Sequence, residues 1–596
     1  MKKTKYIFIL SASLVALIII QACKKTFLDR APMGSLNEQV LANKTGVEGL
    51  LIGTYAKLGG SQNWGSAPSN WSLGSVVADD AYKGSTPSDQ PDINPLESWA
   101  YNANNPYLNE KWVNNYNGIG RANETIRMIP KAADLTADEQ KRIMAEARFL
   151  RGWFHFELKK VFNNIPFVDE NVTVANNNTN VTNVEGSGYV NAWPKIEEDL
   201  KFAAENLFEV APNGQIGRIN KWGAMAYLAK AYMFQHKYPE AKALFDEVIA
   251  KGVTAKGEKY ALVNYYSNFN PQQDNNAESI FAYQASVNDG SGTNGNYGDN
   301  LNYPNSGGPG GCCGFFNPSI SLGNAFKTDA NGLPLPDTYN TGNNVGAPTS
   351  PYTGNVDPRL DLTVGRKGIP YLDWGLHPGD DWIRDPSVNG WFNPRKTVYA
   401  KSQGSLVSTE TSFWGPTQMD AGNVVLIRFA DVLLMAAEAE VEAGSTDKAL
   451  EYVNMVRNRA ADPTGWVYLN SEYDAATAKY KTQTTPADKY KVSPYPAGAF
   501  NDKNFARKAI MFERYIELGQ EGHRFFDLQR WDKGTGLMAN TLNAYAAAEI
   551  SRPGFFAINP TAVFEKGKDE FYPLPQSQID QANSYGPVVL KQNPGY

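Results

Sequence analysis

Residues 512–531 read FERYIELGQEGHRFFDLQRW, three glutamates, three arginines, a histidine and an aspartate set among Phe, Tyr, Ile, Leu and Trp. As a helix, this stretch places Glu513, Glu517 and Glu521 on one face. Convergent carboxylates can mark a catalytic cleft. Here, however, Arg514, Arg524 and Arg530 lie among them, and guanidinium neighbours lower carboxyl pKa values, the opposite of what a general acid needs. Charges in such apolar company persist when they are paired. The stretch therefore predicts a structural ion-pair network inside a helical scaffold, with Arg148 and Arg151 of a second charged, aromatic segment as the expected partners. His523 follows Gly522 at an expected helix end and reads as a packing residue. The chain has four histidines and no HExxH, Walker or GxSxG motif.

Helical periodicity extends outward on both sides. Residues 37–58 read as one amphipathic helix and 107–129 as a second. In 136–162, Thr136 and Glu139 form a capping-box pattern, and Phe149, Trp153, Phe156 and Val161 recur near the helical period. Pro166 disfavours helix just before it. Residues 219–238 and 240–252 then pair small residues with aromatics across a short turn, as a tetratricopeptide unit does. A second such pair spans 428–460, broken at Gly444-Ser445. Between the pairs, 261–422 is rich in Gly, Asn, Pro, Asp and aromatics, and reads as loops with short strands such as KTVYAK (396–401). Long loops in a compact protein are commonly functional, and this aromatic content argues against disorder. The expected fold is mainly α: tetratricopeptide-like helix pairs forming an α-α superhelical scaffold. It divides into 1–22, 23–260, a loop-rich insertion 261–422, and 423–596.

Composition narrows the function. A net charge of −6 argues against nucleic acid. Aromatics make up 12% of the chain, with 31 Tyr and 13 Trp, which points to surfaces that contact amphipathic ligands. The N-terminus joins three lysines to the apolar run IFILSASLVALIII, a secretory signal pattern. Ala22-Cys23 then resembles a lipobox with Cys23 lipidated, although Gln21 stands where a smaller residue is commoner. Cleavage there removes three lysines and no acids, taking the charge to −9. Cys312 and Cys313 remain. Adjacent Cα atoms lie ~3.8 Å apart, below the usual disulfide range, so a vicinal bridge would be strained. In an oxidising compartment it would stiffen the turn GGPGGCCGFFNP.

Five segments in order resemble the SusD/RagB family of outer-membrane nutrient-binding lipoproteins: ACKKTFLD at the start, AEARFLRGWFHFELKKVFNNIPFV (145–168), ERYIELGQEGHRFFDLQRW (513–531), FYPLPQSQID (571–580) and the terminal LKQNPGY. The resemblance spans nearly the whole chain. It implies tetratricopeptide-like units, an irregular ligand-binding region, and a lipid anchor holding the protein on the extracellular side of the outer membrane. It also implies an oligosaccharide or peptide ligand, a TonB-dependent transporter as partner, and no chemistry on the ligand.

Sugar rings pack on aromatic faces while Asp, Asn and Arg bind their hydroxyls. The candidate ligand-binding residues are therefore Trp64, Trp71, Asp79, Asp80, Tyr82, Trp99 and Tyr101 in the first loop region, and Tyr297, Asn300, Tyr303, Trp374, Trp382 and Trp391 in the second. Each could instead pack its loop on the scaffold. A calcium loop counted from Asp289 fails, with Asn294 where Gly is needed and Asn300 where Glu is needed. No metal or cofactor is expected. The leading reading is glycan capture. The alternatives are a peptide ligand on the same scaffold, a pure interaction scaffold, or a secreted hydrolase, which would need two carboxylates flanking a cleft.

Overall fold

The computed structural model describes residues 38–172, 181–410, 416–584 and 589–596. The expected signal segment 1–22 and Cys23 lie outside them. The protein is mainly α-helical. Its scaffold comprises α1 (Lys44–Tyr55), α2 (Pro106–Met128), α3 (Ala137–Phe162), α4 (Trp193–Asn206), α5 (Lys221–Phe234), α6 (Tyr238–Lys251), α7 (Phe429–Ala443), α8 (Thr446–Ala461), α9 (Lys503–Leu518) and α10 (Arg524–Asp532).

Local chemistry sets the ends of these helices. Asn43 accepts from the Gly46 amide at 3.0 Å. This N-cap splits the single helix expected from residue 37 into a turn, Glu38–Leu41, and α1. Thr136 and Glu139 form the expected capping box at the start of α3. Asn163, at φ 56°, ends that helix.

Helices α2 to α8 pack successively, each on the next. The contact of α6 with α7 is direct, although residues 252–428 lie between them in sequence. In space the solenoid is therefore continuous. Gly223, Ala226 and Ala229 of α5 are buried and let its neighbours approach. Phe149 of α3 meets Tyr227 and Phe281 edge to face at 5.6 and 5.3 Å. Burying rings of this kind contributes roughly 1.5–3 kcal/mol each.

The inserted segment leaves and returns through an antiparallel ladder. Strand β1 (Ser279–Tyr283) pairs with β2 (Val424–Arg428), running from Ser279 opposite Arg428 to Tyr283 opposite Val424. Around this closure the insertion builds a second core, shared with residues 467–490. Tyr265, Tyr303, Phe326, Tyr371 and Phe392 cluster there, and Tyr515 and Ile516 of α9 join them. Much of the aromatic content is thus internal. KTVYAK is not a strand but a turn and irregular backbone; the nearby two-residue bridge is Asn393–Pro394 with Val364–Gly365. Among the described residues, no helix is long and apolar enough to cross a membrane.

Candidate functional site: the loop junction

The charged stretch of the sequence lies in the interior. Glu513 and Glu517 are on α9, but the helix ends at Leu518 and Glu521 sits in the following turn. Their partners differ from those expected. Arg428 reaches Glu517 at 2.7 Å, and Glu278 and Glu521 at 2.8 Å. Arg359 pairs with Asp357 at 2.7 Å and with Glu513 and Glu517 at 2.8 Å. Arg457 takes Glu513 at 2.8 Å, Arg459 contacts Glu517, and Lys396 holds Glu521 at 2.6 Å. Arg148 and Arg151 belong elsewhere. Both bond Asp199 at 2.7 Å, and they also meet Glu198 and Glu170 respectively.

Burial pushes the Glu521 carboxyl up, but Arg428 and Lys396 outweigh it and hold the group at about 2. Glu517 is likewise buried and is held well below the usual range by Arg459, Arg428 and Arg359. Burial, with nearby Lys230, lowers His523 to about 4. Acids held this far down stay ionised and paired near neutral pH, so they cannot donate protons there. The sequence reading missed these arginines. Arg428, inside the apolar run VVLIRFADVLLMAA, carried the signal: an arginine in such company requires a buried partner.

The two loop regions meet. Trp64 Nε1 donates to Asn300 Oδ1 at 2.9 Å, Ser69 Oγ to Asp299 at 2.6 Å, and Trp71 Nε1 to the Gly298 carbonyl at 2.9 Å. The Tyr82 amide bonds the Asn317 carbonyl at 2.7 Å. Gly522, at φ +71°, fits the first loop against the α9–α10 turn, where a side chain would collide with the Ser69 carbonyl.

Nine of the thirteen candidate ligand residues are interior, and this corrects their expected exposure. Trp71 packs against Phe315 and Phe316. Asp79 is paired with Arg524 at 2.7 Å, and Asp80 accepts the Gln520 amide at 2.9 Å. Tyr82 donates to Glu549. Trp99 bonds the Val77 carbonyl at 2.9 Å, and Tyr101 bonds that of Asp569 at 3.0 Å. Asn300 is fully covered, Tyr303 donates to Asp420 at 2.6 Å, and Trp382 packs on Tyr371 and His377. All nine are 8% exposed or less, which leaves no ring face for a ligand. The indoles of Trp71 and Trp99 and the phenols of Tyr82, Tyr101 and Tyr303 found interior acceptors, as buried Trp and Tyr usually do.

Trp64, Tyr297, Trp374 and Trp391 are half-buried. Trp64 and Tyr297 stand on the two joined loops. Trp374 bonds the Tyr399 carbonyl at 2.9 Å, and the Tyr399 hydroxyl receives the Gly310 amide at 2.9 Å, which ties Trp374 to the cysteine turn. There Cys312 and Cys313 form a vicinal disulfide, with Cys313 buried and Cys312 half-buried. Trp391 contacts Phe392 edge to face.

Below the junction, a cavity of about 70 Å³ is lined by Asn296, Asp299, Lys396, Asp420, Gln520 and Glu521. Burial raises Asp299 to about 7 and Asp420 to about 6. Among the described residues, no group of three or more His, Cys, Asp or Glu side chains is placed to hold a metal ion.

Stacked helix pairs carrying a braced pair of aromatic loops define the class, an α-helical scaffold protein of SusD-like architecture. Residues 277–596 match the sequence model of the SusD family, and residues 26–233 match one described as starch-binding, associating with the outer membrane. The chain belongs to the SusD family. SusD-like protein P2 of Formosa agariphila is 24% identical over 100% of both chains, and P25 of that organism is 24% identical over 71% of this chain and 70% of its own. Among solved structures, a SusD-like protein from Bacteroides fragilis superposes with a TM-score of 0.66 at 20% identity, covering 95% of this chain and all of that one. A laminarin-binding SusD-like protein gives 0.60 at 22% identity, over 93% and 100% of the chains. Surface glycan-binding protein A from Bacteroides thetaiotaomicron, in complex with laminarihexaose, gives 0.57 at 17%, over 92% and 99%.

Proposed function

We propose that this protein captures an oligosaccharide at the loop junction, is held by a lipidated Cys23 on the outer face of the outer membrane, and passes its ligand to a TonB-dependent transporter. The Trp64–Asn300 bond carries the site assignment. It fixes a half-buried indole in place at the junction of two loops, on the residue that follows the short helix carrying Tyr297. A ring held in advance loses little entropy when a sugar stacks on it. Two solved relatives of this architecture are described as binding laminarin or laminarihexaose, so β-glucan oligosaccharides head the candidate ligands. The protein does no chemistry on what it binds, because the carboxylates that converge in sequence are neutralised by arginine in the interior.

Isothermal titration against defined oligosaccharides, with laminarihexaose first, tests the proposal. Binding should appear in the wild type and weaken in Trp64→Ala and Tyr297→Ala. Release of reducing ends, or binding of peptides but no saccharide, would overturn it. Cys23→Ala should release the protein from membranes.

A further inference from the structure

We propose that a second site, on the scaffold away from the loop junction, binds a small ligand carrying an oxyanion: a carboxylate, sulfate or phosphate. The site is the cavity of about 680 Å³ between α6, α8 and the loops around residues 259–265 and 462–466. None of the loop-junction candidates lines it. Its size lies in the range of small-molecule pockets, about 300–1,000 Å³.

Its lining is rich in donors and short of acceptors. Lys259, Lys479 and Arg459 contribute to the wall, and among the described residues Asp462 is its single acid. The Asp462 carboxylate already accepts the Thr464 amide at 3.0 Å. Among the described residues, neither exposed Lys259 nor half-buried Lys479 has a carboxylate in ion-pair reach. Lys259 donates to the Ile249 carbonyl at 3.0 Å, and Lys479 makes a 3.4 Å contact with Thr464 Oγ1. Two further donors at the wall are buried with no hydrogen-bond partner, Asn264 Nδ2 and Arg459 Nε. The Arg459 side chain is only 9% exposed. Buried donors are normally satisfied, but both atoms are closed off from solvent and the rest of the Arg459 guanidinium is paired with Glu278 and Glu517, so a ligand reaches them only if the wall shifts.

Trp466 supplies a ring face. Its Nε1 is fixed to the Ala460 carbonyl at 2.9 Å, and the side chain stays half-buried at the cavity. The lysines supply charge and hydrogen-bond donors, and the indole accepts a flat apolar body. Such a set selects for anionic oxygen on a compact ring-bearing molecule over a neutral one.

The test is titration calorimetry at constant ionic strength with glucuronate, glucose 6-sulfate, glucose 6-phosphate, inorganic sulfate, inorganic phosphate and neutral glucose. The variants are Lys259→Ala/Lys479→Ala, Trp466→Ala and, in parallel, Trp64→Ala. At least one oxyanion should bind the wild type, with affinity reduced tenfold or more in the double lysine variant and unchanged in Trp64→Ala. Trp466→Ala should weaken the sugar-borne anions alone. Inorganic ions that bind as tightly as sugar-borne ones identify a free oxyanion as the ligand. Glucose binding as tightly as the anions, an undiminished response in the lysine variant, or no binding by any probe overturns the proposal. Because Trp64→Ala reports on the junction separately, failure here and failure there are distinguishable.

Discussion

Arg428, the last residue of β2, donates through Nη1 to Glu517 of α9 at 2.7 Å, with both side chains buried. The same guanidinium reaches Glu278 and Glu521. One side chain thus joins the ladder at the base of the insertion to the charged stretch 512–531.

Replacing Glu517 by Gln should destabilise the protein by about 3–5 kcal/mol, because Arg359, Arg428 and Arg459 would keep buried charges that have lost a shared partner. Denaturant titration measures this. A variant as stable as the wild type would show that the network is not held together through Glu517.

Acid should weaken the same network. The folded Glu521 carboxyl lies at about 2, below the unfolded value of about 4.3. A depressed folded pKa contributes stability that is fully present above the unfolded value and is lost as pH falls toward the folded one. Thermal melts should fall steeply from pH 5 down to about 2, and Glu521→Gln should flatten part of that slope. Parallel curves for variant and wild type would remove Glu521 as the cause.

Asp80 behaves with the opposite sign. Burial raises it to about 7, and its Oδ1 has no hydrogen-bond partner. A raised folded pKa means that stability falls as pH climbs from the unfolded value, about 3.9, through about 7. Asp80→Asn should therefore gain on the wild type as pH rises from 5 to 8.5. Melting temperatures at the two ends decide it, and a gain in the acid direction would refute the assignment.

Two tryptophans in the first loop should separate function from packing. Trp71 is fully buried among Phe315 and Phe316, so Trp71→Ala should destabilise the fold by about 3–5 kcal/mol. Trp64 is half-buried, so Trp64→Ala should keep most stability and lose oligosaccharide affinity by roughly tenfold or more. Equal melting losses in the two variants would place Trp64 with the packing residues.

The scaffold was legible because helical period, capping box and small-residue pairing are local signals. Thr136–Glu139 and the 219–252 pair could be read from neighbouring letters. The quenching of Glu513, Glu517 and Glu521 was legible as chemistry but not as geometry. Arg148 and Arg151 share the composition of the true partners, while Arg359, Arg428, Arg457 and Arg459 are brought in by long-range packing. The binding candidates fared worst. A Trp in a Gly- and Asn-rich loop reads the same whether it faces solvent or fills a core, and the insertion builds a core. Trp71 and Trp382 became its filling, while Trp64 stayed at the edge.

The ladder that closes the insertion has an evolutionary and a practical side. Because α6 and α7 stack directly on each other and the ladder closes behind them, the stretch past Tyr283 and before Val424 leaves and re-enters the scaffold at one place, as a cassette does on a chassis. An exchange of that stretch would have to meet one condition. Arg359, oriented by Asp357, and Lys396 travel inside the cassette yet plug into the chassis, so a graft that omits them would leave sockets at Glu513, Glu517 and Glu521 unfilled.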